Sequence, residues 1–221
     1  MHNVVDKLIS IKKEINEISN QENDPNKEPI IIAVSKTFPI KHILPLINYN
    51  HIHFGENKVQ EALEKWSDIK NDFPDIKLHM IGKLQTNKVK QALPLFDFIH
   101  SLDSIKLAQK ISTEQIKYNK KPKIFIQINI GQELQKNGIS EDQLVVFYKK
   151  CINDLNLNII GLMCLPPKDG DSKNYFLKMS DLVKRINLKD LSIGMSSDYI
   201  TASKYGATYL RIGSKIFGDR F

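Results

Sequence analysis

The sequence predicts an α/β protein built as a single (β/α)8 TIM barrel with an extra helix at its N-terminus. Three observations carry that prediction: eight short apolar runs rich in β-branched residues, helical patterns between most of them, and a length of 221 residues, enough for one compact barrel. A doubly wound open sheet shares the same rhythm and is the main competitor.

Taken in order, the first segment carries Val4, Leu8, Ile11, Ile15 and Ile18 at steps of four and three, which puts one apolar stripe on a helix over residues 1–20. "SNQENDPNKEP" follows as a polar connection with two prolines, a linker over residues 21–29. The runs "IIIAVS", "HIHF", "IKLHMIG", "DFIHSL", "KIFIQINI", "NIIGLM", "LSIGMS" and "TYLRIG" then read as strands. Between them, "NKVQEALEKW" sets Val59, Ala62, Leu63 and Trp66 on one helical side. "SEDQLVVFYKKCINDL" opens with Ser140 and Gln143 in capping-box spacing and continues with Leu144, Phe147, Tyr148, Cys151 and Leu155 at helical steps. After the eighth run only "SKIFGDRF" remains, too short for a full closing helix. The N-terminal helix is therefore expected to complete the outer ring or to plug one end of the barrel. No composition shift marks a second domain, so residues 1–221 read as one domain.

Composition narrows the function classes. The N-terminus interleaves charges with apolar residues, unlike a secretory signal, and no run is long enough to span a bilayer, so a cytoplasmic protein without membrane contact is expected. Cys151 and Cys164 lack metal or redox spacing and read as buried small apolar residues. The formal charge of +7 comes from 32 basic residues, of which only Arg185, Arg211 and Arg220 are arginines. The lysines are scattered rather than gathered with aromatics into a basic face, which argues against a specific nucleic-acid partner. His51, His53 and His100 have no carboxylate in ligand spacing, so no metal site is expected.

The chemistry should sit where the strands end, because a parallel barrel keeps its active face at the C-terminal edge of its sheet. Lys36 shares the strand parity of Ile32 and Val34, so its amine is expected to enter the barrel mouth, where desolvation favours a nucleophilic amine. A lysine that snorkels to solvent is the plain alternative. Barrels that bind phosphate often do so in the loops after strands seven and eight, here "GMSSD" and "RIGSK". Gly213 and Ser214 could present N–H groups there, and Ser196 a hydroxyl. Arg211 shares the parity of Gly213, and in a lysine-rich chain it suggests a need for a planar, permanently charged donor. Strand eight closes against strand one, so the amine and the anion cradle would be neighbours. A ligand with an aldehyde at one end and a phosphate at the other would suit both, and pyridoxal 5′-phosphate is such a ligand.

Across nearly the whole chain, "AVSKT", "HFGENKVQE", "HMIGKLQTNKVK", "IHSLDS", "QINIGQELQKNGI", "GLMCLPP", "LSIGMSSD" and "LRIGSKIFG" closely resemble the YggS/PROSC family of pyridoxal phosphate homeostasis proteins. The resemblance implies a barrel of the alanine racemase N-terminal type, fold type III among pyridoxal phosphate proteins. It implies the cofactor held as a Schiff base on Lys36, the phosphate on Ser196, Gly213 and Ser214, and Arg211 facing the pyridine nitrogen. Asn57, His79 and Met163 match motif positions near the cofactor. Two positions depart from the family pattern: Lys58 replaces the usual aromatic, and Ser197 stands where an acidic residue is more common.

An arginine opposite the pyridine nitrogen disfavours its protonation and weakens the ring as an electron sink. Racemases on the related barrel add a second domain whose tyrosine serves as a base, and this chain has no room for one. The expected function is storage, buffering or delivery of the cofactor with little or no turnover, the alternative being a weak amino-acid racemase or another Schiff-base enzyme. Expected partners are the cofactor itself and the apoenzymes that receive it, with the protein a monomer.

Overall fold

The computed structural model describes residues 3–21, 28–133, 135, 137–167 and 170–218. Most of the expected linker, and Asp219 and Arg220 of the terminal motif, lie outside the described residues. The strands are β1 (Ile30–Val34), β2 (His53–Glu56), β3 (Lys77–Met80), β4 (Phe98–Leu102), β5 (Lys123–Ile128), β6 (Ile159–Cys164), β7 (Asp190–Met195) and β8 (Tyr209–Ile212). They form a closed barrel in chain order. Every neighbouring pair is parallel, and β8 closes on β1 with Ile30 opposite Tyr209 and Ala33 opposite Ile212. The eight runs expected from the sequence are these strands, and closure settles the competition with an open sheet.

Alternation along each strand divides the core into two shells. Ile32, Phe98, Phe125, Met163 and Tyr209 fill the barrel interior, while the larger cluster, including Phe54, Trp66, Leu78, Ile99, Ile126 and Leu210, packs between strands and helices. The helices are α1 (Val4–Gln21), α2 (Ile40–Asn48), α3 (Val59–Trp66), α4 (Ile69–Asp72), α5 (Val89–Leu95), α6 (Ile105–Tyr118), α7 (Leu144–Lys149), α8 (Ser172–Arg185), α9 (Tyr199–Lys204) and α10 (Ser214–Phe217). The predicted stripe on α1 is real: Leu8, Ile11, Ile15 and Ile18 are buried against α2, α9 and α10. Of the two expected roles for this helix, outer-ring cover is the one it fills. The short α10 leaves a gap that α1 occupies.

The capping box at Ser140 does not form. Ile139 is drawn into a parallel bridge with Ile128, which holds that backbone extended, and α7 starts only at Leu144 with Gln143 as an N-cap that makes no side-chain bond. The same helix ends in a π-helical turn over Lys150–Asp154, marked by the bond from the Leu155 N–H to the Lys150 carbonyl.

A candidate ligand site at the barrel mouth

The loops after β1, β2, β3, β6, β7 and β8 enclose a cavity of about 590 Å³ at the C-terminal edge of the sheet. Its walls mix apolar groups (Val34, Phe38, Ile81, Leu165, Met195) with Lys36, Asn57, Ser196, Ser197, Arg211, Gly213, Ser214 and Gly218. Volume and mixture are those of a site for a small polar molecule with an apolar body. Six of the eight residues singled out from the sequence line it: Lys36, Asn57, Ser196, Arg211, Gly213 and Ser214.

Lys36 stands two residues past the end of β1, beside the seam where β1 meets β8. The turn that carries it is clamped from outside the barrel. The Ser35 hydroxyl donates to Glu56 Oε1 (2.7 Å), the Thr37 N–H donates to Glu61 (2.5 Å), and the Lys65 ammonium donates at once to the Ser35 carbonyl, Glu56 and Glu61. Trp66 Nε1 adds a further bond to Glu56 (3.0 Å). Thr37 is held in the left-handed region (φ 69°), a conformation that a threonine adopts only where its surroundings impose it. Burial pushes the Glu56 carboxyl above its ordinary range, against the opposing pull of Lys65, Trp66 and Ser35. Glu56 does not line the cavity. It fixes the lysine turn from behind.

At the opposite wall, Ser196 Oγ accepts from the Gly213 N–H (3.1 Å) and the Lys215 N–H (3.4 Å), so loop seven and the start of α10 converge on one hydroxyl. Gly194 makes that loop possible. It takes a positive φ of 86°, and a Cβ there would stand 2.5 Å from the Ala202 methyl. Gly82 does the same for Asn57, whose carbonyl oxygen would lie 2.3 Å from a Cβ at position 82.

Arg211 rises from β8 inside the barrel and is 4% exposed. Its Nη1 donates to the Ser192 carbonyl (2.5 Å) and hydroxyl (2.6 Å), and Nη2 to the Cys164 carbonyl (2.8 Å). Burial pulls the guanidinium down to about 10, so it stays charged at neutral pH.

His79 and Met163 are wholly buried and do not line the cavity. Their inward strand positions lie deeper in the barrel, where His79 stacks on Phe98 (centroids 4.1 Å apart) and Met163 joins the interior cluster. Of the two departures from the family pattern, Lys58 is exposed at the N-cap of α3, away from the cavity lining, while Ser197 lies on the cavity rim. The clamp around Ser35 and a row of buried histidines behind Arg211 escaped sequence reasoning. Matching inward parity of His53, His79 and His100 on consecutive strands was the available signal.

Among the described residues no group of three or more His, Cys, Asp or Glu is arranged to hold a metal ion, and no helix is long and apolar enough to cross a membrane. Cys151 and Cys164 are buried and form no disulfide.

Comparison with known proteins agrees with this architecture. Residues 8–221 match the model of the alanine racemase N-terminal domain. The pyridoxal phosphate homeostasis protein of Haemophilus influenzae is 35% identical, with 99% of this chain and 96% of the relative covered. The human protein of the same name is 34% identical over 89% of this chain and 78% of its own length. Among solved structures, PipY of Synechococcus elongatus with pyridoxal phosphate bound superimposes with a TM-score of 0.79 at 31% identity, covering 92% of this chain and all of that one. An alanine racemase of Clostridium difficile shares the fold at 14% identity and a TM-score of 0.71. Barrel, cavity and relatives together place the chain in one family, that of the alanine racemase N-terminal domain.

Proposed function

We propose that this chain binds pyridoxal 5′-phosphate in the barrel-mouth cavity and serves cofactor homeostasis, holding and handing over the molecule rather than turning over a substrate. One observation carries the reading: a lysine amine, a buried arginine and a serine with two converging N–H groups share one cavity of about 590 Å³. That donor set fits the cofactor's aldehyde, ring nitrogen and phosphate in turn. The similarity to proteins named for pyridoxal phosphate homeostasis, and to PipY with that cofactor bound, supports the same assignment.

When bound, pyridoxal phosphate supplies an aldehyde that links to amines and a ring that withdraws electrons from the linked carbon. The residues of this chain divide the remaining work. Lys36 would hold the aldehyde end through its amine. Ser196, Gly213 and Ser214 would hold the phosphate and Arg211 would serve the ring nitrogen, with Asn57 in the same lining. His79 and Met163 would act from deeper in the barrel, outside the lining. Because Arg211 is a charged donor at neutral pH, it would disfavour protonation of the ring nitrogen.

Low turnover follows from the lining. Among the described residues that face the cavity, Lys36 and Arg211 are the ionisable ones. Racemisation needs an acid and a base on opposite faces of the α-carbon, and Arg211 is committed to Ser192 and Cys164. The full reading is one cofactor-binding domain, a cytoplasmic monomer whose partners are apoenzymes that need the cofactor.

The test is the visible spectrum of the purified protein with pyridoxal phosphate, before and after borohydride, beside Lys36→Ala. A borohydride-sensitive band in the parent and none in Lys36→Ala is expected. An identical band in both would overturn the assignment of Lys36. Incubation with single L-amino acids should leave their chirality intact; racemisation at about one turnover per second or faster would turn the reading into that of an enzyme.

A further inference from the structure

Behind Arg211 runs an unbroken row of hydrogen bonds through the barrel. Arg211 Nη1 donates to Ser192 Oγ (2.6 Å), Ser192 Oγ meets His100 Nδ1 (2.8 Å), His100 Nε2 meets His79 Nδ1 (2.9 Å), and His79 Nε2 meets His53 Nδ1 (2.9 Å). Ser192, His79 and His100 are wholly buried, while His53 reaches a cleft at the barrel's base shared with Lys12, Glu28 and His51. Phe98 stacks on His79 and Phe125 on His100 (4.3 Å), so both rings are walled by apolar faces.

The chemistry of the two ends fixes the direction of the row. An arginine can only donate, so the Ser192 oxygen accepts from it. The serine oxygen could accept a second bond, but donating to His100 Nδ1 is the arrangement that leaves no buried hydroxyl proton unpaired among these contacts. His100 must in turn carry its proton on Nε2 and give it to His79, which repeats the pattern toward His53. Every dipole therefore points its negative end at the guanidinium, and aligned hydrogen bonds reinforce one another. Arg211 makes no ion pair with a carboxylate among the described residues; its contacts are neutral oxygens, and Asp198, which acts on it through space, is engaged by the Met195 N–H.

We propose that Ser192, His100, His79 and His53 are positioning residues for this cavity: a one-directional file of neutral side chains that takes the place of a carboxylate behind Arg211. A carboxylate would neutralise the guanidinium and repel an anionic ligand. The file stabilises the buried cation and leaves the cavity net positive. Its rings stay neutral because burial disfavours their charged forms, and the neighbouring charges act the same way: Lys77 and Lys123 on His53, then His100, His53, His51 and Lys70 on His79, and Arg211 on His100, with Asp97 opposing at His53 alone.

This inference deepens the reading of the same cavity, and its decisive test needs no ligand. In protein with nitrogen-15-labelled histidine, ring shifts and couplings at neutral pH report the tautomer of each imidazole. His53, His79 and His100 are expected to be neutral and protonated on Nε2. An Nδ1–H tautomer or an imidazolium at His79 or His100 would overturn the proposal. Arg211→Met removes the obligate donor, so Nδ1–H forms should appear in the file; if that variant does not fold, the parent spectrum decides alone. Ser192→Ala should weaken retention of pyridoxal phosphate about tenfold, the size of one charge-assisted hydrogen bond, and unchanged retention would also overturn it. Should the parent protein fail to bind pyridoxal phosphate at all, the cofactor reading falls while the tautomer result stands.

Discussion

The residues that set the cavity are of two kinds, and only one is legible in a sequence. Lys36, Ser196, Arg211, Gly213 and Ser214 could be picked out because strand parity and the edge rule of parallel barrels say where the end of each apolar run must point. The clamp that holds Lys36 could not. It joins Lys65 to Ser35 across thirty positions of chain, and no spacing announces that a lysine on α3 will reach back to a carbonyl beside β1. Its energetics are those of a buried pair: the Lys65 and Glu56 side chains are 8% and 0% exposed, at 2.9 Å. Lys65→Met should therefore destabilise the fold by about 3–5 kcal/mol, because it leaves a buried carboxylate unpaired. The pH dependence has a definite sign. The carboxyl is already raised by burial, so the folded state holds its proton more tightly than the unfolded chain, and its contribution is greatest at low pH and lost as pH rises. The gap between parent and Lys65→Met in urea melts should shrink as pH falls from 8 toward about 5. A gap that is constant with pH would show that Glu56 is not the group left behind. Lys65→Met with Glu56→Gln should recover part of the loss.

Among the elements, strands were the easiest to read because burial on both faces writes them as continuous β-branched runs. The α7 region was harder: helical spacing is present from Leu144 to Leu155, but the bridge of Ile139 to Ile128 delays its start and a π turn ends it. Neither constraint is local. The N-terminal helix was predicted from its stripe alone, and its position follows from what is missing elsewhere, since α10 has four residues where the ring needs a full helix. Helix α1 covers α9 and α10, and the Tyr199 hydroxyl donates to Glu14 at 2.5 Å to pin it. Ile11 is 2% exposed on the buried stripe of α1. Ile11→Ala should lower stability by about 2–5 kcal/mol through the cavity it opens, whereas Lys13→Ala on the exposed face should change it by less than about 0.5 kcal/mol. Equal urea midpoints for the two variants would mean that α1 is not part of the cooperative fold.

At the scale of the whole molecule, ring closure gathers His53, His79 and His100 from three strands, with His51 just before β2, into a largely buried set that bears on acid stability. Burial pulls His51 and His53 down to about 4 and holds His79 and His100 well below their ordinary 6.5. In the unfolded chain all of them titrate near that ordinary value. As pH falls through 6.5 the unfolded state gains protons that the native state refuses, so the native state loses ground. Once the unfolded histidines are largely protonated, each contributes up to about 1.4 kcal/mol per pH unit, and the effects add because each ring is neutral in the native fold. The carboxylates that are favoured in the fold act lower, as with Asp97, where burial is outweighed by bonds from Lys70 and the Leu78 N–H; its contribution is kept above its ordinary 3.8 and lost below it. Urea melts at pH 7.5, 6.5 and 5.5 should therefore show stability falling over both intervals, roughly three times more steeply over the second. His100→Phe should flatten the second interval by the share of one histidine if it packs on Phe125 as the imidazole does. A parent protein equally stable at pH 7.5 and 5.5 would mean that these rings accept protons in the native state, and the barrel interior would then have to be open to water.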